Sequence, residues 1–148
     1  MLDETDGRIL ADLRSNARDS YRQIARRLKL HPSTVIKRVE GMRKSGVITG
    51  FGAHVDYLKM GYEFMALMAV RCTLGHVPEV GAKFRGHPGV VAVWDITGDG
   101  DIMALVACHN RAEFNKVIKH LGALAYVERT NTHVVLDVLK NEWEFRPQ

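Results

Sequence analysis

Along the first third of the chain apolar residues recur at helical spacing, and beyond about position 60 they run together in blocks. Ile9, Leu10 and Leu13 form one helical face behind Asp3, which can cap a first helix, with Glu4 and Asp6 favourable in its first turn. A polar break at 16–19 leads to Ser20 and Gln23, the S-x-x-Q spacing of a capping box. Ile24 and Leu28 then give a second helix its inner face through about Lys29. The chain turns at Leu30 and His31. Pro32 suits the first position of a third helix, and Gly46 is a left-handed stop for it. At about 100° per residue, Val35, Val39 and Met42 fall on one side of that helix, and Ser33, Thr34, Lys37, Gly41 and Lys44 on the other. One side packs, and the other is open to a partner.

Residues 47–55 interleave the strand formers Val47, Ile48, Phe51 and Val55 with Gly50 and Gly52, which predicts a wing strand and a linker. Farther on, 64–70 and 102–108 are wholly apolar, 90–96 is mostly so, and 133–139 holds Asp137 as its one charge. These predict four strands. Val77, Val80, Gly81 and Phe84 predict a short helix between the first two, ended by Gly86 and Pro88. Phe114, Val117, Ile118 and Leu121 predict another between the last two, opened by a capping box of Asn110 and Glu113. The fold class is therefore α+β: an N-terminal winged helix-turn-helix followed by a ferredoxin-like βαββαβ unit with both helices on one face of an antiparallel sheet. Domains are expected at 1–50 and 62–148, with 51–61 as strand and linker.

A sheet with one face in water should alternate apolar with polar residues, and 64–70 and 102–108 do not. The second face then needs cover, and pairing with another copy, sheet against sheet, supplies it.

Charge separates the two parts. From 18 to 44 there are nine Lys and Arg against Asp19 and Glu40, a net of +7, which suits phosphate. Residues 1–50 carry 11 basic and 6 acidic side chains, while 51–148 carry 10 and 11, so the basic character belongs to the first part. Short hydroxyls opening the third helix, with Lys37 and Arg38 a turn later, match a recognition helix entering the major groove N-terminus first. Arg26 and Arg27, on the preceding helix, are placed to reach backbone phosphate. No apolar run approaches the roughly 18 residues of a membrane span, and a start of Met1-Leu2-Asp3-Glu4 has the wrong charge for a signal peptide, so a cytoplasmic protein is expected.

Cys72 and Cys108 lie in apolar strand-like runs without C-x-x-C spacing, which points to buried reduced thiols at opposite ends of neighbouring strands. Gly98-Asp99-Gly100-Asp101 lacks the later bidentate Glu of a calcium loop and lies between two strands, where Asp-Gly marks a hairpin. The seven histidines show no metal-ligand spacing, and no nucleophile elbow or phosphate-cradling Gly-Lys-Ser/Thr loop is present. Neither an enzyme activity nor a cofactor is expected.

The whole chain from Leu2 to about Lys140 resembles the Lrp/AsnC (feast/famine) transcription regulators. LDETDGRIL at the start, YRQIARRLKLHPSTVIKRVEGMRKSGVI through the helix-turn-helix and TGDGDIMALV in the second domain carry the likeness. It implies a regulator that binds operator DNA through a recognition helix at 32–45. It also implies a homodimer built on the second domain, assembling in some cases into tetramers or octamers, with an amino-acid effector at subunit contacts of those domains. By the same resemblance the turn of Gly98, Asp99, Gly100 and Asp101 borders the effector pocket, with Thr130 and Thr132 as weaker candidates. The DNA-binding candidates are Arg26, Arg27, His31, Ser33, Thr34, Lys37, Arg38 and Lys44. The sequence departs from the family at His31, where a Ser cap is usual, so the cap is expected to be weaker or replaced by a phosphate contact. Leu124-Ala125-Tyr126-Val127 also lacks the usual Pro-Gly-Val. Two alternatives stand beside this reading. Siroheme decarboxylases are similar in both domains, but the basic recognition helix is intact here and their tryptophan-proline aromatic segment is not seen. An amino-acid sensor acting through protein partners is opposed by the +7 hairpin.

Overall fold

The computed structural model describes residues 2–140. They form two compact units, the first reaching to His54 and the second spanning Val55–Val138, so the division falls inside the 51–61 linker. The last residues of the 62–148 domain lie outside the described ones.

The first unit is three helices. In α1 (Glu4–Ser15) the Asp3 carboxylate accepts the Asp6 amide hydrogen at 2.9 Å, and the Asp6 carboxylate accepts that of Asp3 at 3.1 Å, a full capping box. In α2 (Tyr21–Leu28) Ser20 and Gln23 make the same reciprocal pair, and Lys29 closes the helix in the left-handed conformation at φ 56. That lets the Leu30 amide donate to the Ala25 carbonyl at 2.8 Å and fixes the tight turn into α3 (Pro32–Lys44). The core is Ile9, Leu13, Ile24, Ala25, Val35, Val39 and Met42, the apolar stripes set by helical spacing.

The wing strand does not form. The residues between α3 and the next element carry no strand, and Val47, Phe51 and Val55 are exposed. A strand needs a partner for its backbone groups, and no described residue pairs with this stretch. Ile48 serves packing instead: Gly46 takes φ 76, the Ile48 amide donates to the Met42 carbonyl at 3.1 Å, and Ile48 joins the core.

The second unit runs β1 (Phe64–Cys72), α4 (Val77–Arg85), β2 (Val90–Asp95), β3 (Ile102–Cys108), α5 (Arg111–Gly122) and β4 (Val127–Val134). The sheet is antiparallel in the order β2-β3-β1-β4, the ferredoxin-like topology. Met68, Val70, Cys72, Ile102, Ala104, Val106 and Cys108 pack beneath Val80, Phe84, Val117 and Leu121. The opposite face is also apolar. Leu67 pairs with Leu105 and Met103 with both Ala69 and Trp94, and Leu67 and Trp94 remain 37% and 46% exposed.

The final strand lies earlier than the apolar run at 133–139 indicates. β4 reads Val-Glu-Arg-Thr-Asn-Thr-His-Val, while Leu136 and Leu139 are almost fully exposed. An edge strand is held by its ladder to β1 rather than by burial of both faces, so polar composition does not exclude it. Only half of the Asn110 box forms. Asn110 accepts from the Glu113 amide at 2.9 Å, but the Glu113 carboxylate turns to the amide and ring of His109. Cys72 and Cys108 are free and buried, at opposite ends of β1 because Cys108 pairs with Phe64; burial pushes both thiols up from the usual range.

Within the stretch 124–127, Tyr126 takes φ 68, the left-handed conformation glycine adopts without strain. Its ring stacks on His76, with centroids 3.7 Å apart and planes 10° from parallel.

Candidate nucleic-acid interface

The recognition helix is positioned from both ends. At its start the His31 ring replaces a serine cap: Nδ1 accepts the Ser33 amide hydrogen at 3.3 Å and lies 2.7 Å from the Ser33 hydroxyl. The imidazole therefore performs the capping function itself, and only Nε2 is left for an outside contact. With Val35, Val39 and Met42 buried, Ser33, Lys37, Gly41 and Lys44 are exposed and Thr34 is half-buried on the opposite side.

Two of the nine cations are committed inside the fold. Arg27 donates from Nε to Asp12 at 2.9 Å and from Nη2 to both Asp12 and, at 2.5 Å, Asp19, which ties α2 to α1 and the loop between them. Arg38 donates from Nη1 to Asp3 at 2.6 Å and Asp6 at 2.9 Å, which ties α3 to the cap of α1. These bonds raise both guanidinium pKa values, and the Arg38 bond holds the Asp3 carboxyl below the usual carboxylate range. Arg27 and Arg38, both named among the expected DNA contacts, thus already hold carboxylate partners within the first unit. Sequence spacing did not reveal the pairs because Asp12 and Asp3 are distant in the chain. By contrast, Arg26, Lys37 and Lys44 form no ion pair among the described residues, nor do Arg22, Lys29 and Arg43, whose charge the sequence does not single out from its neighbours.

In the second unit the glycine-aspartate turn is a clamp. Gly98 takes φ 111, and a β-carbon on Gly100 would lie 3.4 Å from the Val70 carbonyl oxygen. The Asp101 amide donates to that carbonyl at 2.8 Å, and the Asp101 carboxylate accepts the Cys72 amide hydrogen at 2.8 Å, just where β1 bulges between Arg71 and Cys72. Asp101 is thus occupied with backbone, whereas Asp99 is exposed. Thr130 and Thr132 pair with Val70 and Met68, and the Thr130 hydroxyl lies near Gly122 at the end of α5. They belong to the helix-covered face and are separated from the turn by β1, so the structure does not gather these six residues into one pocket.

A three-helix unit with a cationic, hydroxyl-bearing recognition helix, joined to a ferredoxin-like unit, defines a helix-turn-helix DNA-binding protein with a second, regulatory domain. The AsnC-type helix-turn-helix domain matches residues 2–43 and the Lrp/AsnC ligand-binding domain residues 65–144. The chain belongs to the Lrp/AsnC family of transcriptional regulators. It is 35% identical over 147 residues to an HTH-type transcriptional regulator of Pyrococcus abyssi, covering 99% of this chain and 100% of that one. The regulator LysM of Sulfurisphaera tokodaii is 38% identical over 138 residues, 93% of this chain and 96% of that one. Escherichia coli AsnC superposes with a TM-score of 0.87 at 26% identity, over 95% and 96% of the two chains. A Neisseria meningitidis regulator solved as a complex with L-Met shares the fold at TM-score 0.86 and 23% identity, over 95% and 94%. These names are those of regulators and not of enzymes, which decides against the decarboxylase alternative. No helix among the described residues is long and apolar enough to cross a membrane.

Proposed function

We propose that the protein acts as a homodimer that sets two α3 helices into successive major grooves of an imperfectly palindromic operator, with an amino acid or related small molecule as effector. The exposed face of Ser33, Lys37, Gly41 and Lys44, opposite the buried Val35, Val39 and Met42, is the observation that carries it. Hydroxyls and ammonium groups there can donate to base edges, while Arg26 and the other unpaired cations neutralise phosphate. The apolar open face of the sheet supports pairing of two copies, since a few large side chains left half-exposed on one face are costly in water. The ligand-binding domain matched at 65–144 supports an effector. Of the turn residues, Asp99 is better placed than Asp101 to meet a ligand amine, because Asp101 is already bonded.

Selection from a random duplex library should recover a two-fold-related sequence with half-sites about one helical turn apart or a multiple of it. Recovery of no preferred sequence would oppose the proposal. Adding each of the twenty amino acids to the selected complex would then identify the effector through a change in operator affinity.

A further inference from the structure

Gly41 lies well inside α3, where glycine is less favourable than any residue but proline because ordering its backbone costs the most entropy. A glycine on an exposed helix face leaves room for a close approach from outside. Here a β-carbon at Gly41 would have no heavy atom within 4 Å, so nothing in the described fold requires the glycine. Its surroundings suggest what does. Gly41 lines an open notch of about 680 Å3, together with Thr34, Lys37 and Arg38 of α3, the capping residue Ser45, and Leu2 and Asp6. Lys37 and Ser45 lie one helical turn before and after it, and Lys44 is on the same side. The one acid in the notch, Asp6, is bonded to Arg38. Bare backbone thus lies among cations and hydroxyls, with Leu2 and Met42 at the notch as well.

We infer that Gly41 is the point at which the sugar–phosphate strand of the DNA passes closest to α3. This rests on the DNA-reading role of that helix and adds a named contact to it. A recognition helix enters the major groove by its N-terminal end, so Ser33 and Lys37 reach toward bases while positions near the C-terminal end pass beneath the rim of the groove. A methyl group at Gly41 holds the strand away from the helix and lengthens the phosphate contacts of Lys44 and Ser45 together. It does so without disturbing the packing of α3.

Gly7 provides the control, because it too lies inside an exposed helix with no heavy atom within 4 Å of an added β-carbon, but on α1. In the full chain, Gly41→Ala and Gly7→Ala should both raise the melting temperature. At one fixed salt concentration, Gly41→Ala should weaken binding to the selected operator and to a random duplex in the same ratio, by about five- to tenfold. Gly7→Ala should bind both like the wild type. Wild-type affinity in Gly41→Ala overturns the inference. So does a loss confined to the operator, which would make Gly41 a base-edge contact, or an equal loss in Gly7→Ala, which would make the effect general. If the wild type itself binds neither duplex, the DNA-reading role fails first and this contact with it.

Discussion

Arg27 and Asp12 meet side-on, with Nε 2.9 Å from Oδ2 and Nη2 against Oδ1, and Asp19 takes a further bond from the same Nη2. A cation held by two carboxylates adds little to the attraction of phosphate, because its field is largely cancelled at the distance of a groove wall. Arg27→Ala should therefore lower the melting temperature, while the slope of log K against log salt stays as in the wild type. Arg26→Ala should lower that slope by about one unit, the amount expected of one lost phosphate contact. A reduced slope for Arg27→Ala would show that it leaves the carboxylates to meet DNA.

Asp101 supplies the acceptor for the Cys72 amide at the β1 bulge. Asp101→Ala leaves that amide without its partner and should destabilise the protein by about 1–3 kcal/mol in urea unfolding. Asp101→Asn keeps an acceptor oxygen and should recover most of the loss. Equal stability of the alanine variant and the wild type would contradict a clamp.

His87 should make the fold sensitive to mild acid. Burial, with His120 adding repulsion, lowers its pKa from the ordinary value of 6.5, and the unprotonated Nδ1 accepts the Gly89 amide hydrogen at 3.0 Å. Above about pH 6.5 the ring is neutral in both folded and unfolded chains, so the stabilisation is fully present. As pH falls from there toward the lowered native value, the unfolded chain takes up a proton the folded chain refuses, and stability is lost. The melting temperature should fall over this window, and His87→Gln should flatten part of that fall. An unchanged profile in the variant would remove His87 as the cause.

The open sheet face sets the expected assembly. At micromolar concentration the protein should sediment at no less than twice its 16.6 kDa, and Leu67→Asp, placing a charge opposite Leu105 at the centre of the face, should yield a folded monomer. A monomeric wild type would contradict sheet-to-sheet pairing.

Much of this architecture is written in local pattern. Asp3, Ser20, Pro32 and Gly46 mark the helix ends because capping and left-handed stops depend on a few adjacent residues. The β1 and β3 runs are legible because both faces are apolar. What escaped the sequence depends on distant partners. β4 is polar and is a strand only because β1 pairs with it, the 47–55 stretch has strand formers without a partner, and Asp12 selects Arg27 across the helix pair. Arg26 and Arg27 are adjacent and chemically alike, yet one is exposed without an ion pair among the described residues and the other is tied to α1. Tyr126 shows the converse: it takes a left-handed backbone, φ 68, that its residue type does not announce.

Reading of sequence by α3 is the central claim, and Lys37 is the side chain best placed to test it, exposed beside Ser33 and Thr34 with no ion pair among the described residues. Binding of Lys37→Ala and Arg26→Ala to the selected operator and to a random duplex should be measured at one salt concentration. Lys37→Ala should cost about 1–3 kcal/mol on the operator and distinctly less on random DNA, while Arg26→Ala should weaken both alike. If Lys37→Ala reduces operator and random binding in the same ratio as Arg26→Ala, Lys37 is another phosphate contact and the account of base reading by α3 is contradicted.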